Sequence, residues 1–178
     1  MQYSLINYKQ TWNIFLIFVN NIFKIKIGGF VMDNKNDNNS EYILNEVNKG
    51  IKMGMDSIST ISEKVQDSKF KEDLQFQYNK YNDILNKVND KLSDYGEFPK
   101  ELNPMQKTMG WISIEMQTFD DKSDSKISEM MLNGTNMGII KGVKLYNHNP
   151  DCDPDIRNIL DEFIKFQENT VEQLKKYL

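Results

Sequence analysis

"YGEFPKELNPMQKTMGWISIEMQTFDDK", residues 95–122, is the stretch whose length decides the fold. It opens on Gly96, a residue suited to the left-handed conformation in which helices end. It then carries Asn103-Pro104, a capping side chain before a proline at a first helical position, where the missing N–H costs nothing. It closes on Asp120-Asp121, residues that separate helices. Between these marks lies one short apolar stripe of Met105, Met109, Ile112 and Met116. The segment therefore reads as a long connection with one short helix inside it, near 104–119.

On either side the apolar residues recur close to every 3.6 positions, the period of an amphipathic helix. Ile43, Val47, Ile51, Ile58, Ile61 and Val65 form one stripe, and Phe70, Leu74, Tyr81, Leu85, Val88 and Leu92 a second. After the connection come Ile127, Met131, Gly134, Gly138 and Leu145, then Ile156, Leu160, Phe163, Val171, Leu174 and Leu178. Asn149-Pro150 ends the first of these, and Asp153-Pro154 starts the second with another capping pair. No segment alternates with period 2 for long enough to read as a strand. The pattern predicts helices near 40–65, 68–94, 104–119, 124–147 and 154–177.

Short loops join the first two long helices and the last two, so each pair is antiparallel. The connection between the pairs is long enough to cross a bundle. Two antiparallel hairpins joined by a crossover make the ferritin-like four-helix bundle, here with a short extra helix in the crossover. Gly50 and Gly54 lie four apart on the first helix, as do Gly134, Gly138 and Gly142 on the third long one. Each glycine costs about 1 kcal/mol of helix propensity against alanine. The two rows are expected to face each other across a close helix contact.

"GIKMGMDSISTI" (50–61), "MQKTMGWISIEMQT" (105–118) and "DKSDSKISEMMLNGTNMGIIKGVKL" (121–145) carry a family resemblance. They are similar, in the same order, to segments of small ferritin-like bundle proteins of unknown function from low-GC bacteria. The resemblance covers about residues 41–178. It implies the ferritin-like fold and brings no established activity with it.

The first thirty-one residues, "MQYSLINYKQTWNIFLIFVNNIFKIKIGGFV", have three readings. A membrane helix needs about 20 mostly apolar residues. The apolar run here is only Ile14 to Val19, and extending it takes in Lys24 and Lys26. Each buried lysine would cost about 2.5–3.5 kcal/mol. A secretory signal would need a small-x-small cleavage site, which the stretch lacks. The preferred reading is a start at Met32. Residues rich in Asn, Lys, Ile, Phe and Tyr are what AT-rich upstream DNA encodes, and Gly28-Gly29 can be encoded by a ribosome-binding sequence. Residues 32–39 are then a disordered polar lead and residues 40–178 the bundle.

Charge and cysteine content narrow the function classes. Residues 1–31 hold three lysines and no acid, so residues 32–178 carry a formal charge of −7. Such a surface repels phosphate backbones, which argues against nucleic acid as a partner. Cys152 is the single cysteine, so no intrachain disulfide forms, in keeping with a reducing cytoplasm.

A ferritin-like fold makes a di-iron site the first hypothesis. That site takes a Glu from each of two helices and a Glu-x-x-His from each of the other two. The chain has one histidine, His148, and Leu145 stands three residues before it. The mid-helix inward positions are read as Gly54, Met55, Tyr78, Gly138 and Gln167, none of them a carboxylate.

"HNPDCDPDIRNILDE" (148–162) is the richest local cluster. Asp151, Asp153, Asp155 and Glu162 fall on positions 1, 3, 5 and 12 of a calcium-binding loop, but Ile156 replaces the glycine that the turn requires. Helix capping is the expected role. Asp151 and Asp153 flank Cys152 and disfavour its thiolate, so a His148–Cys152 dyad is not expected to react. Met105, Met109, Met116, Met130, Met131 and Met137 read as gap-filling core side chains rather than copper ligands. Trp12 and Trp111 stand in no cluster of aromatic and basic residues that would stack bases.

The sequence thus leads to an all-α ferritin-like bundle. It nominates no catalytic, cofactor-binding or metal-binding residue and no cofactor. The favoured function is a non-catalytic, cytoplasmic structural or interaction module that associates with itself or with a protein through a helix face. The alternatives are a metal-binding or oxidoreductase protein with atypical Met, Asp and Glu ligands, and a membrane-tethered bundle if residues 1–31 are translated.

Overall fold

The computed structural model describes residues 36–97, 121 and 123–178, with side chains from residue 39 onward. The short helix expected near 104–119, its methionines, Trp12, Trp111 and the readings of residues 1–31 lie outside the described residues. Four long helices account for most of what is described: α1 (Asn36–Ile61), α2 (Ser68–Asp94), α3 (Asp124–His148) and α4 (Pro154–Leu174). A single 3-10 turn, Lys175–Tyr177, prolongs α4. No strand occurs among the described residues.

The helix ends follow from their side chains. Asp67 caps α2 by accepting from Phe70 N at 2.7 Å, and Gly96 closes that helix with φ +71°. Ser123 caps α3, accepting from Lys126 N at 3.2 Å. Asp153 caps α4 by accepting from Asp155 N at 2.7 Å, with Pro154 at the first helical position. Such caps are each worth about 1 kcal/mol. At the other end of α3, Asn149 Nδ2 donates to the Leu145 carbonyl and the Arg157 guanidinium donates to the Tyr146 and Asn149 carbonyls.

Two boundaries differ from the expected ones. Helix α1 begins at Asn36, inside the stretch expected to be a disordered lead. Asn39 shows why it is held there: its Nδ2 donates to Asn149 Oδ1 at 2.6 Å, across the bundle end. The same helix stops at Ile61 rather than residue 65, where Lys64 N and Val65 N both turn back to the Ile61 carbonyl. Val65 stays buried, so the apolar period continues past the end of the helix.

Helices α1 and α2 form one antiparallel hairpin, α3 and α4 the other. Between the hairpins, α1 lies antiparallel to α3. Asn39 meets Asn149 at one end, and at the other the Asp124 carboxylate accepts from Gln66 N at 2.8 Å and Asp67 N at 2.7 Å. Likewise α2 lies antiparallel to α4. Lys91 pairs with Asp153 at 3.1 Å and Asp155 at 2.9 Å at one end. Tyr177 Oη donates to Asp73 at 2.7 Å at the other, its ring stacked on Phe70.

Helices α2 and α3 therefore both end at the same end of the bundle, and α3 starts at the opposite one. The end of α2 and the start of α3 thus lie a bundle length apart, about 40 Å for a helix the size of α2. That is the topology of the ferritin-like four-helix bundle.

The core is a single cluster drawn from all four helices. Phe70, Ile43, Leu44, Ile51, Leu74, Ile84, Leu92, Ile127, Ile156 and Leu160 are fully buried, each contributing about 1.5–3 kcal/mol. Met130 and Met131 belong to this core, as their spacing suggested, whereas Met137 is exposed. Leu178 is 62% exposed despite falling on the α4 stripe, because the 3-10 turn breaks the period before it. Among the described residues, no helix is long and apolar enough to cross a membrane.

Candidate functional site

The centre of the bundle is where facing helices bring four side chains to one level, and it is built here from two glycines, a tyrosine and a glutamine. Tyr81 on α2 points inward, fully enclosed, and its hydroxyl donates to Gln167 Oε1 on α4 at 3.3 Å. The Phe166 ring meets the Tyr81 ring edge-on, with centroids 4.8 Å apart.

Gly54 on α1 makes room for the tyrosine. A Cβ there would lie 2.6–2.8 Å from its ring and hydroxyl. Gly138 on α3 does the same for Gln167, since a Cβ there would collide with the carboxamide. Burial raises the Tyr81 pKa well above the ordinary tyrosine range, so the phenol keeps its proton and acts as a hydrogen-bond donor.

The glycine rows are thus used differently from expected. Helices α1 and α3 are antiparallel neighbours, but their glycines do not face each other. Gly50 and Gly142 stand against Phe163, and Gly142 also against Ile164, both on α4. The small residues of α1 and α3 accommodate large side chains from α2 and α4. Tyr78, expected at the centre, is only partly buried, and Met55 packs at the edge of the core. Tyr81 takes the central place because it lies squarely on the stripe of Leu74, Ile84 and Val88.

Several buried polar residues went unforeseen. Gln77, Thr135 and Thr170 are all enclosed. The Thr135 and Thr170 hydroxyls donate to the carbonyls four residues back, at 2.8 and 2.9 Å. Both amide atoms of Gln77 are without a hydrogen-bond partner. The available signal was their position: each sits at helical spacing within an apolar stripe.

The carboxylates of the 148–162 cluster are dispersed into separate jobs. Asp153 caps α4 and accepts from Tyr95 Oη at 2.9 Å as well as pairing with Lys91. Asp155 shares Lys91, while Glu162 accepts from Lys87 at 2.7 Å and Lys80 at 3.2 Å. Asp151 is exposed. Burial pushes the Asp153 pKa up, but Lys91, the Asp155 N–H and Tyr95 together outweigh it and hold the carboxyl below its ordinary range. Glu162 behaves alike: burial raises its pKa, and Lys87 and Lys80 bring it down further than burial lifts it.

His148 and Cys152 line a cleft of about 420 Å³ at this bundle end, with Asn39, Tyr95 and Asp153. No group of three or more His, Cys, Asp or Glu side chains among the described residues is placed to hold a metal ion.

No protein-family model matches the sequence, and no curated protein matches it. Among solved structures the fold is similar to a protein titled "A Dodecameric Thioferritin in the Bacterial Domain, Characterization of the Bacterioferritin-Related Protein from Bacteroides fragilis". The two share a TM-score of 0.60 over 80% of this chain and 85% of that one, at 11% sequence identity. The likeness extends to the ferritin-like architecture. A dinuclear iron centre, which that fold implies, needs carboxylates and imidazoles aimed inward. The bundle centre offers a protonated phenol, a carboxamide and two glycines, and the buried polar side chains of the described residues are all uncharged. These residues do not fit such a centre.

Proposed function

We propose that this chain is a non-catalytic ferritin-like bundle serving as a structural or protein-interaction module in the cytoplasm, and that it self-associates through a helix face. The observation that carries this reading is the composition of the bundle centre. Tyr81 and Gln167 bond to each other there and fill the space that Gly54 and Gly138 leave. Neutral donors packed against one another have no charge with which to hold Fe²⁺ or Mn²⁺.

Self-association draws support from Met53 on α1 and Met137 and Ile140 on α3, which are exposed on the adjacent pair of helices. The structural neighbour is by its title a dodecamer. The formal charge of −7 over residues 32–178 favours protein over nucleic-acid partners.

The test is Fe²⁺ oxidation in air by the purified full chain, followed at the ferric absorbance. A rate equal to that of buffer is the expected result. A protein-dependent rate that saturates with iron would overturn the reading in favour of an oxidoreductase or iron store. Sedimentation equilibrium of the same sample, with and without Ile140→Glu, tests the association. A monomer at all concentrations would refute that part.

A further inference from the structure

The two hydrogen-bonding atoms of Gln77 are buried without a partner, and the helix register shows what surrounds them. Tyr81 meets Gln167 across the antiparallel α2–α4 pair. One turn down α2 is Gln77, and the matching turn up α4 brings Thr170 to the same level. Gly138 faces Gln167, so one turn down α3 Thr135 reaches this level too. Gly54 faces Tyr81, so one turn along α1 Ile58 closes the fourth side.

The layer next to the bundle centre is therefore Ile58, Gln77, Thr135 and Thr170, all enclosed, with Gln77 0% exposed. Both threonine hydroxyls spend their protons on their own helix carbonyls, which leaves their oxygens able to accept. A fully buried amide with neither its N–H groups nor its oxygen bonded is rare and costly in a folded protein. An internal water takes two to four polar partners, and this layer brings a carboxamide and two hydroxyl oxygens to one level.

We propose that this layer is a built-in hydration site. One long-lived water bridges the Gln77 carboxamide to the Thr135 and Thr170 hydroxyl oxygens. It accepts from Gln77 Nε2 and donates one proton to each threonine oxygen, within the two to four polar partners that internal waters take. The Tyr81–Gln167 bond and this water together give the bundle interior a continuous uncharged polar seam two layers deep. The seam specifies helix register, since sliding either hairpin partner by one turn would separate its members.

The experiment is water-to-protein NOE and ROE spectroscopy on the full chain, with the Gln77 side-chain amide identified by its loss in Gln77→Met. The expected result is a pair of cross-peaks from that amide to the water resonance, with the signs of a long-lived bound water, weakened in the shape-preserving Thr170→Val. Urea unfolding of Gln77→Met, which replaces the amide by an apolar chain of similar length, is expected to show a lower midpoint. An amide with no water cross-peak would overturn the proposal. A Gln77→Met midpoint above wild type would do so too, since removing a truly orphaned amide stabilises.

Discussion

Replacing Gly54 by alanine puts the packing of the bundle centre to a quantitative test. Two effects oppose each other. Alanine gains about 1 kcal/mol of helix propensity over glycine. Its Cβ, however, would sit 2.6 Å from Tyr81 Cζ and 2.8 Å from both Cε2 and Oη. The obstacle is a stiff ring wedged edge-on against Phe166, with no free end to swing aside. Overpacking of this kind costs about 1–3 kcal/mol. Moving the ring also stretches a bond to Gln167 that is already 3.3 Å long, a further loss of about 1 kcal/mol.

The balance is a net destabilisation of about 1–3 kcal/mol. For a bundle of this size that is a fall in Tm of roughly 4–12 °C. Gly50→Ala is the internal control. Its Cβ would lie 3.3 Å from Phe163 Cζ, a conflict that a shift of a few tenths of an ångström relieves. The propensity gain then stands, and Gly50→Ala melts at or above wild type. Thermal and urea melts followed by circular dichroism read both variants. A Gly54→Ala protein as stable as Gly50→Ala would refute the placement of Tyr81 against α1.

Two further outcomes follow from the same contacts. Tyr81→Phe keeps the ring and removes the donor, leaving the buried Gln167 oxygen unbonded. The expected loss is about 1–3 kcal/mol in urea unfolding, and an unchanged midpoint would show that the bond is not formed in solution. Asp153→Asn tests the bundle end. The folded pKa of Asp153 lies below its unfolded value, so its charge stabilises the fold above the ordinary carboxylate range. That contribution disappears as pH falls through the folded pKa. The variant is therefore less stable than wild type at neutral pH, and the two unfolding midpoints converge in acid once the pH has fallen below the ordinary carboxylate range and through the lowered folded pKa. A gap independent of pH would contradict the Lys91 pairing.

Most of the architecture was legible because it depends on periodicity and punctuation. Leu74, Val88, Ile127, Leu145 and Leu160 sit at core spacing and are buried. Asp153-Pro154 and Gly96 mark helix ends through local chemistry that needs no tertiary partner. The length of the connection after Tyr95 implied a crossover, and the bonds of Asn39, Asp124, Lys91 and Tyr177 require one.

The bundle centre was only half legible. The absence of Glu-x-x-His and the inward positions of Gly54, Gly138 and Gln167 could be read from the chain. That Tyr81 rather than Tyr78 fills the notch agrees with the stripe, on which Tyr81 falls with Leu74 and Val88, and not with the separate reading of Tyr78 as an inward position. Gln77 is not legible as a buried group, because a polar residue inside an apolar stripe declares itself only through its burial. Helix α1 overran its expected start because the bond that holds it, Asn39 to Asn149, spans most of the chain.

The central claim is that the middle of this ferritin-like bundle is closed by a Tyr81–Gln167 hydrogen bond and has no charge with which to hold a metal. Elemental analysis tests it most directly. The full chain, purified without a metal-binding tag, is exposed to iron, manganese and copper and passed through gel filtration. The account predicts a folded, helical protein that elutes with less than stoichiometric metal. One or two equivalents of iron, manganese or copper co-eluting with the chain, and lost on Gln167→Leu, would contradict it.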